Sequence, residues 1–84
     1  MLTNLRRVVL GRRIAELRRA GKLTQEQLAE ALGCSVDFIS LVERGVNAPS
    51  VAGLADFAKV LKVEVRDLFT FDVGKRPANG GKRR

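Results

Sequence analysis

Side chains with something to recognise concentrate between Thr24 and Gly45, in the stretch TQEQLAEALGCSVDFISLVERG. A helix starting after Ser35 turns Val36, Asp37, Ser40, Leu41 and Arg44 to one exposed face. That set combines an acceptor, a hydroxyl, a cation and two apolar surfaces, which suits contact with another molecule rather than bond making. The chain has no histidine and one cysteine. A metal site and a nucleophile beside a base are therefore both unsupported, and no glycine-rich phosphate loop is present. Neither a cofactor nor an enzymatic activity is expected. Gln25 falls in the first turn of the preceding helix, where free amide hydrogens and the helix dipole attract phosphate. Cys34 lies at the turn between the two helices and reads as a small core residue, and one cysteine cannot form an internal disulfide.

The elements that must position these side chains are short helices. The first begins within Thr3–Gly11 and ends near Ala20, with Gly21 as its stop and Leu10, Ile14 and Leu17 as its buried stripe. Thr24 and Gln27 form a capping box that opens the second helix, with Leu28, Ala29 and Leu32 facing inward. Gly33 ends it, Ser35 caps the third helix with Ile39 and Val42 buried, and Gly45 closes that one. Val46-Asn47-Ala48-Pro49 is a loop. Ser50 caps a fourth helix from Val51 to about Leu61, with Leu54, Phe57, Ala58 and Leu61 at core spacing and Gly53 weakening its first turn. Val63 to Phe69 reads as a short fifth helix docking through Val65 and Leu68. Residues 1–73 form one domain, and 74–84, GKRPANGGKRR, read as a disordered basic tail.

Bulk properties agree with one small all-α domain. The chain has 84 residues, is 45% hydrophobic and 30% charged, and carries a net charge of +7, enough for one core and too ordered for a disordered chain. No apolar run approaches a membrane span and the first residues do not form a secretory signal, so a cytoplasmic location is expected. The positive charge is uneven. Residues 6–22 hold seven basic side chains against Glu16 alone, residues 74–84 hold five and no acid, and residues 23–73 hold four against eight acids, a net of −4. Positive charge at two ends suits a polyanion, nucleic acid first and anionic membrane second. Solvated faces that aid solubility are the plainer reading.

Two helices joined by Gly33-Cys34-Ser35 can cross only steeply. Counted from Gln25, the small Ala29 falls fifth, Gly33 ninth, Cys34 tenth, Ile39 fifteenth and Val42 eighteenth. A small residue at the crossing, a glycine at the turn and apolar residues locking the angle are the arithmetic of a DNA-binding helix-turn-helix. LTQEQLAEALGCSVDFISLVERGVNAPS followed by LADFAKVLKVEVRDLF resembles the Cro/C1-type (XRE) helix-turn-helix family over about residues 10–70. The resemblance implies a five-helix repressor-like bundle that binds a pseudo-palindromic operator in double-stranded DNA as a homodimer, with the third helix in the major groove.

Family roles carry over residue by residue. The resemblance assigns Gln25 to the DNA backbone and assigns base reading to Val36, Asp37, Ser40 and Leu41, with Phe38 flanking. No Arg, Gln or Asn stands on this face before Arg44, so the hydrogen-bonding code is weak, and apolar contact and DNA shape are expected to do most of the reading. Phe38 has an equal alternative in packing against a neighbouring helix. Arg18 and Glu43 match a family pair that joins the first helix to the third, which leaves Arg44 for phosphate. The loop departs from the family in lacking a basic residue before Pro49; only Asn47 offers a polar side chain, so phosphate contact there must use backbone amides. The basic first helix and the tail are expected to compensate.

Val65, Leu68, Phe69, Phe71 and Val73 offer more apolar surface than one short helix buries, which predicts dimerisation through this end. A sequence-specific, dimeric transcriptional regulator of mobile-element, restriction-controller or self-regulating type is the function expected. The alternative is a protein-interaction module, such as an antitoxin meeting its toxin partner.

Overall fold

The computed structural model describes residues 2–70, with side chains from Leu5 onward. Phe71, Val73 and the basic tail lie outside the described residues. Four α-helices and a closing 3₁₀ helix follow one another: α1 Leu2–Ala20, α2 Gln25–Leu32, α3 Val36–Glu43, α4 Val51–Leu61, then Val65–Phe69. No strand occurs among the described residues. No described helix is long and apolar enough to cross a membrane.

Local chemistry sets most of these bounds. Thr24 Oγ1 accepts the Gln27 amide at 3.0 Å while Gln27 Oε1 accepts the Thr24 amide at 2.8 Å, which starts α2. Ser35 and Ser50 cap α3 and α4 in the same manner, accepting from Phe38 and Gly53. Gly33, at φ 72°, and Gly45, at φ 82°, end α2 and α3 in left-handed geometry that costs glycine little.

Three expectations change. The helix α1 starts at Leu2, so Gly11 lies inside it. Its left-handed stop is Lys22, at φ 62°, rather than Gly21; the Lys22 and Leu23 amides return to the Arg19 and Arg18 carbonyls. The expected fifth α-helix is a 3₁₀ helix confined to Val65–Phe69. It opens where the Glu64 amide donates to Asp67 Oδ2 at 2.9 Å.

The core joins Leu10 and Ile14 of α1, Leu28 and Ala29 of α2, Ile39 and Val42 of α3, Phe57 and Ala58 of α4, and Leu68. Leu17, Leu32, Leu54 and Leu61 pack on its edge, half-buried, while Val65 is exposed. Lys62 repeats the Lys22 arrangement, ending α4 at φ 62°. An L-residue held left-handed costs roughly 1 kcal/mol that glycine avoids. Lys62→Gly should therefore raise the thermal midpoint, a gain of roughly 0.5 kcal/mol after glycine's greater freedom in the unfolded chain is subtracted. A lowered midpoint would contradict that backbone geometry.

Candidate nucleic-acid interface

The interface is built around one carboxylate. Arg18 reaches from α1 to Glu43 at the end of α3 through Nε to Oε2 at 2.7 Å and Nη2 to Oε1 at 3.2 Å. Both side chains are largely withdrawn from water, at 11% and 6% exposure. Arg18 Nη1 also donates to the Leu23 carbonyl at 2.8 Å, which holds the α1–α2 turn. Gln25 Nε2 donates to Glu43 Oε1 at 2.9 Å. One carboxylate thus ties α1, α2 and α3 together, with planar bidentate geometry on the arginine side. The Gln25 link was invisible in the sequence, because nothing in local spacing relates residue 25 to residue 43. It orients the Gln25 amide at the start of α2 and leaves its second N–H and its carbonyl oxygen for a ligand.

On α3 Val36 and Asp37 are exposed, as is Arg44 at its C-cap, and Ser40 and Leu41 are half-buried, while Ile39 and Val42 are buried on the opposite face. The helix is therefore presented to solvent along the side expected to read bases. Phe38 is placed differently. It is half-buried and lines an open pocket of about 130 Å³ with Leu32, Cys34, Pro49, Gly53 and Phe57. Its ring packs against the edge of the core, in a pocket it shares with Phe57 of α4. Cys34 lines the same pocket, half-buried, and burial pushes its thiol pKa up, against a reactive thiolate. No group of side chains able to hold a metal ion occurs among the described residues.

The loop after α3 differs from expectation in its amides. The Val46 and Asn47 N–H groups both donate to the Leu41 carbonyl, at 2.9 and 3.3 Å. They are thus spent inside the protein, and Pro49 has no N–H. The Ala48 amide and the Asn47 side chain are the donors that remain. Two arginines of α1 were also missed as structural partners: Arg7 Nη1 donates to the Val46 carbonyl at 3.2 Å, and Arg13 Nε to the Asp67 carbonyl at 2.9 Å. On the 3₁₀ helix Val65 and Phe69 are 42% and 47% exposed, whereas Leu68 is fully buried in its own core. Leu68 therefore leaves the set expected to meet a second copy.

Comparison with known proteins places this architecture. Residues 9–69 match the helix-turn-helix domain family. An uncharacterised HTH-type transcriptional regulator of Bacillus subtilis, YazB, is 42% identical over 60 residues, which span 71% of this chain and 87% of the relative. The restriction-modification controller protein C.AhdI from Aeromonas hydrophila superposes with a TM-score of 0.71 at 39% identity, covering 74% of this chain and 94% of the other. The biofilm master regulator SinR, crystallised in complex with DNA, superposes with a TM-score of 0.68 at 31% identity, covering 73% and 98%. With the Glu43-centred clamp and the uncovered face of α3, these likenesses show that the chain belongs to the Cro/C1-type helix-turn-helix family of non-enzymatic, DNA-binding transcriptional regulators.

Proposed function

We propose that the protein is a sequence-specific regulator that binds a pseudo-palindromic operator as a homodimer, with α3 laid in the major groove. The observation that carries this reading is the exposed side of α3, held at a fixed angle by the Arg18–Glu43–Gln25 cluster and left uncovered by the described chain. Val36, Asp37, Ser40 and Leu41 read the bases; Arg44, Gln25 and Asn47 meet phosphates. Val65 and Phe69, exposed on the 3₁₀ helix, supply apolar surface for the second copy. Likeness to a restriction-modification controller and to a regulator crystallised on DNA favours control of a gene over capture of a protein partner.

A gel shift at fixed salt, with DNA from upstream of the protein's own gene against a scrambled duplex, tests the reading. Ser40→Ala combined with Leu41→Ala should erase most of the preference for the specific duplex, roughly 1–3 kcal/mol for each position that loses its base contact, while non-specific binding persists. An unchanged ratio between the two duplexes would remove α3 from base reading. A mass of one chain at high micromolar concentration would remove the dimer.

A further inference from the structure

We infer that Arg7 supplies the phosphate-contacting cation that the α3–α4 loop lacks, delivered to the loop by the N-terminal turns of α1. The inference rests on the DNA-binding reading and names one residue in it. Three observations converge. First, Val46-Asn47-Ala48-Pro49 carries no positive charge, and the Val46 and Asn47 amides are both committed to the Leu41 carbonyl. Such a loop, at the end of the helix that addresses DNA, has little left with which to hold a phosphate.

Second, α1 extends N-terminally past residue 9, where the family match begins, and the added turns lie on this loop. A Cβ built on Gly45 would come within 2.7 Å of the Val8 Cα and 2.8 Å of the Val8 nitrogen, so helix and turn touch backbone to backbone. Third, the neighbouring Arg7 is half-buried and donates Nη1 to the Val46 carbonyl. It makes no ion pair among the described residues, and neither does Arg44, two positions before Val46. A guanidinium has five N–H donors, and one hydrogen bond to a carbonyl leaves the others and the whole charge for an anion. Both arginines also sit by the C-terminal end of α3, where the helix dipole favours cations. Anchoring on Val46 fixes Arg7 in advance, so less side-chain freedom is lost when a phosphate docks.

Arg7→Gln tests this, because glutamine keeps a polar, helix-compatible side chain and loses the charge. Affinity of the full chain is measured by fluorescence anisotropy across a salt series, on the upstream duplex and on a scrambled duplex of equal length. One lost phosphate contact should reduce the slope of log K against log salt by about 0.9 on both duplexes, with their ratio unchanged. Lys59→Gln, on α4 away from the loop, should leave the slope at its wild-type value. An Arg7→Gln slope equal to wild type overturns the inference, whether or not affinity falls, because a residue that only braces the loop changes affinity without releasing fewer ions. Failure of the wild-type chain to bind either duplex would instead overturn the DNA-binding reading itself.

Discussion

Gly11→Ala should destabilise the protein by about 3 kcal/mol or more, although alanine is the better helix former by about 1 kcal/mol. Gly11 sits inside α1 where that helix crosses the end of α3. A Cβ at this position would run into the Val42 carbonyl oxygen and come within 2.7 Å of the Glu43 carbonyl oxygen. Backbone cannot swing aside as a flexible side chain can, so the two helices must separate. Separation also loosens the packing of Ile14, Ile39 and Val42, which are buried in one cluster. Against a typical total of 5–15 kcal/mol, the loss is large. Gly21→Ala is the matched control. Its Cβ would stand 3.5 and 3.6 Å from the Leu17 and Arg18 carbonyl oxygens, ordinary contact distances, and should stabilise by roughly 0.5 kcal/mol. Urea unfolding of both variants gives opposite signs for one chemical change; equal signs would show that α1 does not press on α3.

Removing either side of the Arg18–Glu43 pair is the second large effect. Arg18→Ala leaves Glu43 with the Gln25 amide as its remaining side-chain partner, and Glu43→Ala leaves Arg18 with the Leu23 carbonyl. At 11% and 6% exposure the surviving charge cannot recover its hydration, so each change should cost about 3–5 kcal/mol. Replacing both at once, Arg18→Ala with Glu43→Ala, should cost clearly less than the two single changes added together, because no orphaned charge remains. Chemical denaturation of the four proteins forms the test, and simple additivity would mean that the two groups do not interact. In DNA binding the expected order differs. The double variant should recover stability without recovering full affinity, since Gln25 has lost the carboxylate that orients it.

What was legible in the sequence was whatever rests on neighbours along the chain. Thr24 with Gln27, Ser35, Ser50, Gly33 and Gly45 mark helix ends by hydrogen bonds spanning a few residues and by one dihedral angle, so α2, α3 and α4 fall where expected. The start of α1 was not legible, because the cap-type residues of LTNLRRVVLGRR, Thr3 and Asn4, fall inside the helix rather than ahead of it, and its glycine reads as a boundary. Gly11 does share a helical stripe with Ile14 and Arg18, and that was the available clue to close approach. Lys22 adopts the left-handed stop beside a glycine that seemed made for it, because the return hydrogen bonds of Lys22 and Leu23 set the position. Within the interface, the exposed side of α3 follows from periodicity alone. The placement of Phe38 and Leu68 does not, since an apolar residue at helical spacing gives no sign of whether its cover comes from its own chain. The carboxylate shared by Arg18 and Gln25, and Arg7 on Val46, link residues 18 to 39 positions apart.

One helix touches everything that matters. At 19 residues and 1.5 Å per residue, α1 is about 28 Å long. It meets the turn after α3 through Arg7 and Val8, the 3₁₀ helix through Arg13, and the α2 junction through Arg18. If two copies join through the 3₁₀ helices, α1 acts as the ruler between that joint and the groove-reading element. The number of base pairs separating two half-sites would then be a property of this rod's stiffness, and a kink introduced near its middle would shift the spacing the protein tolerates before it altered any base that the protein prefers.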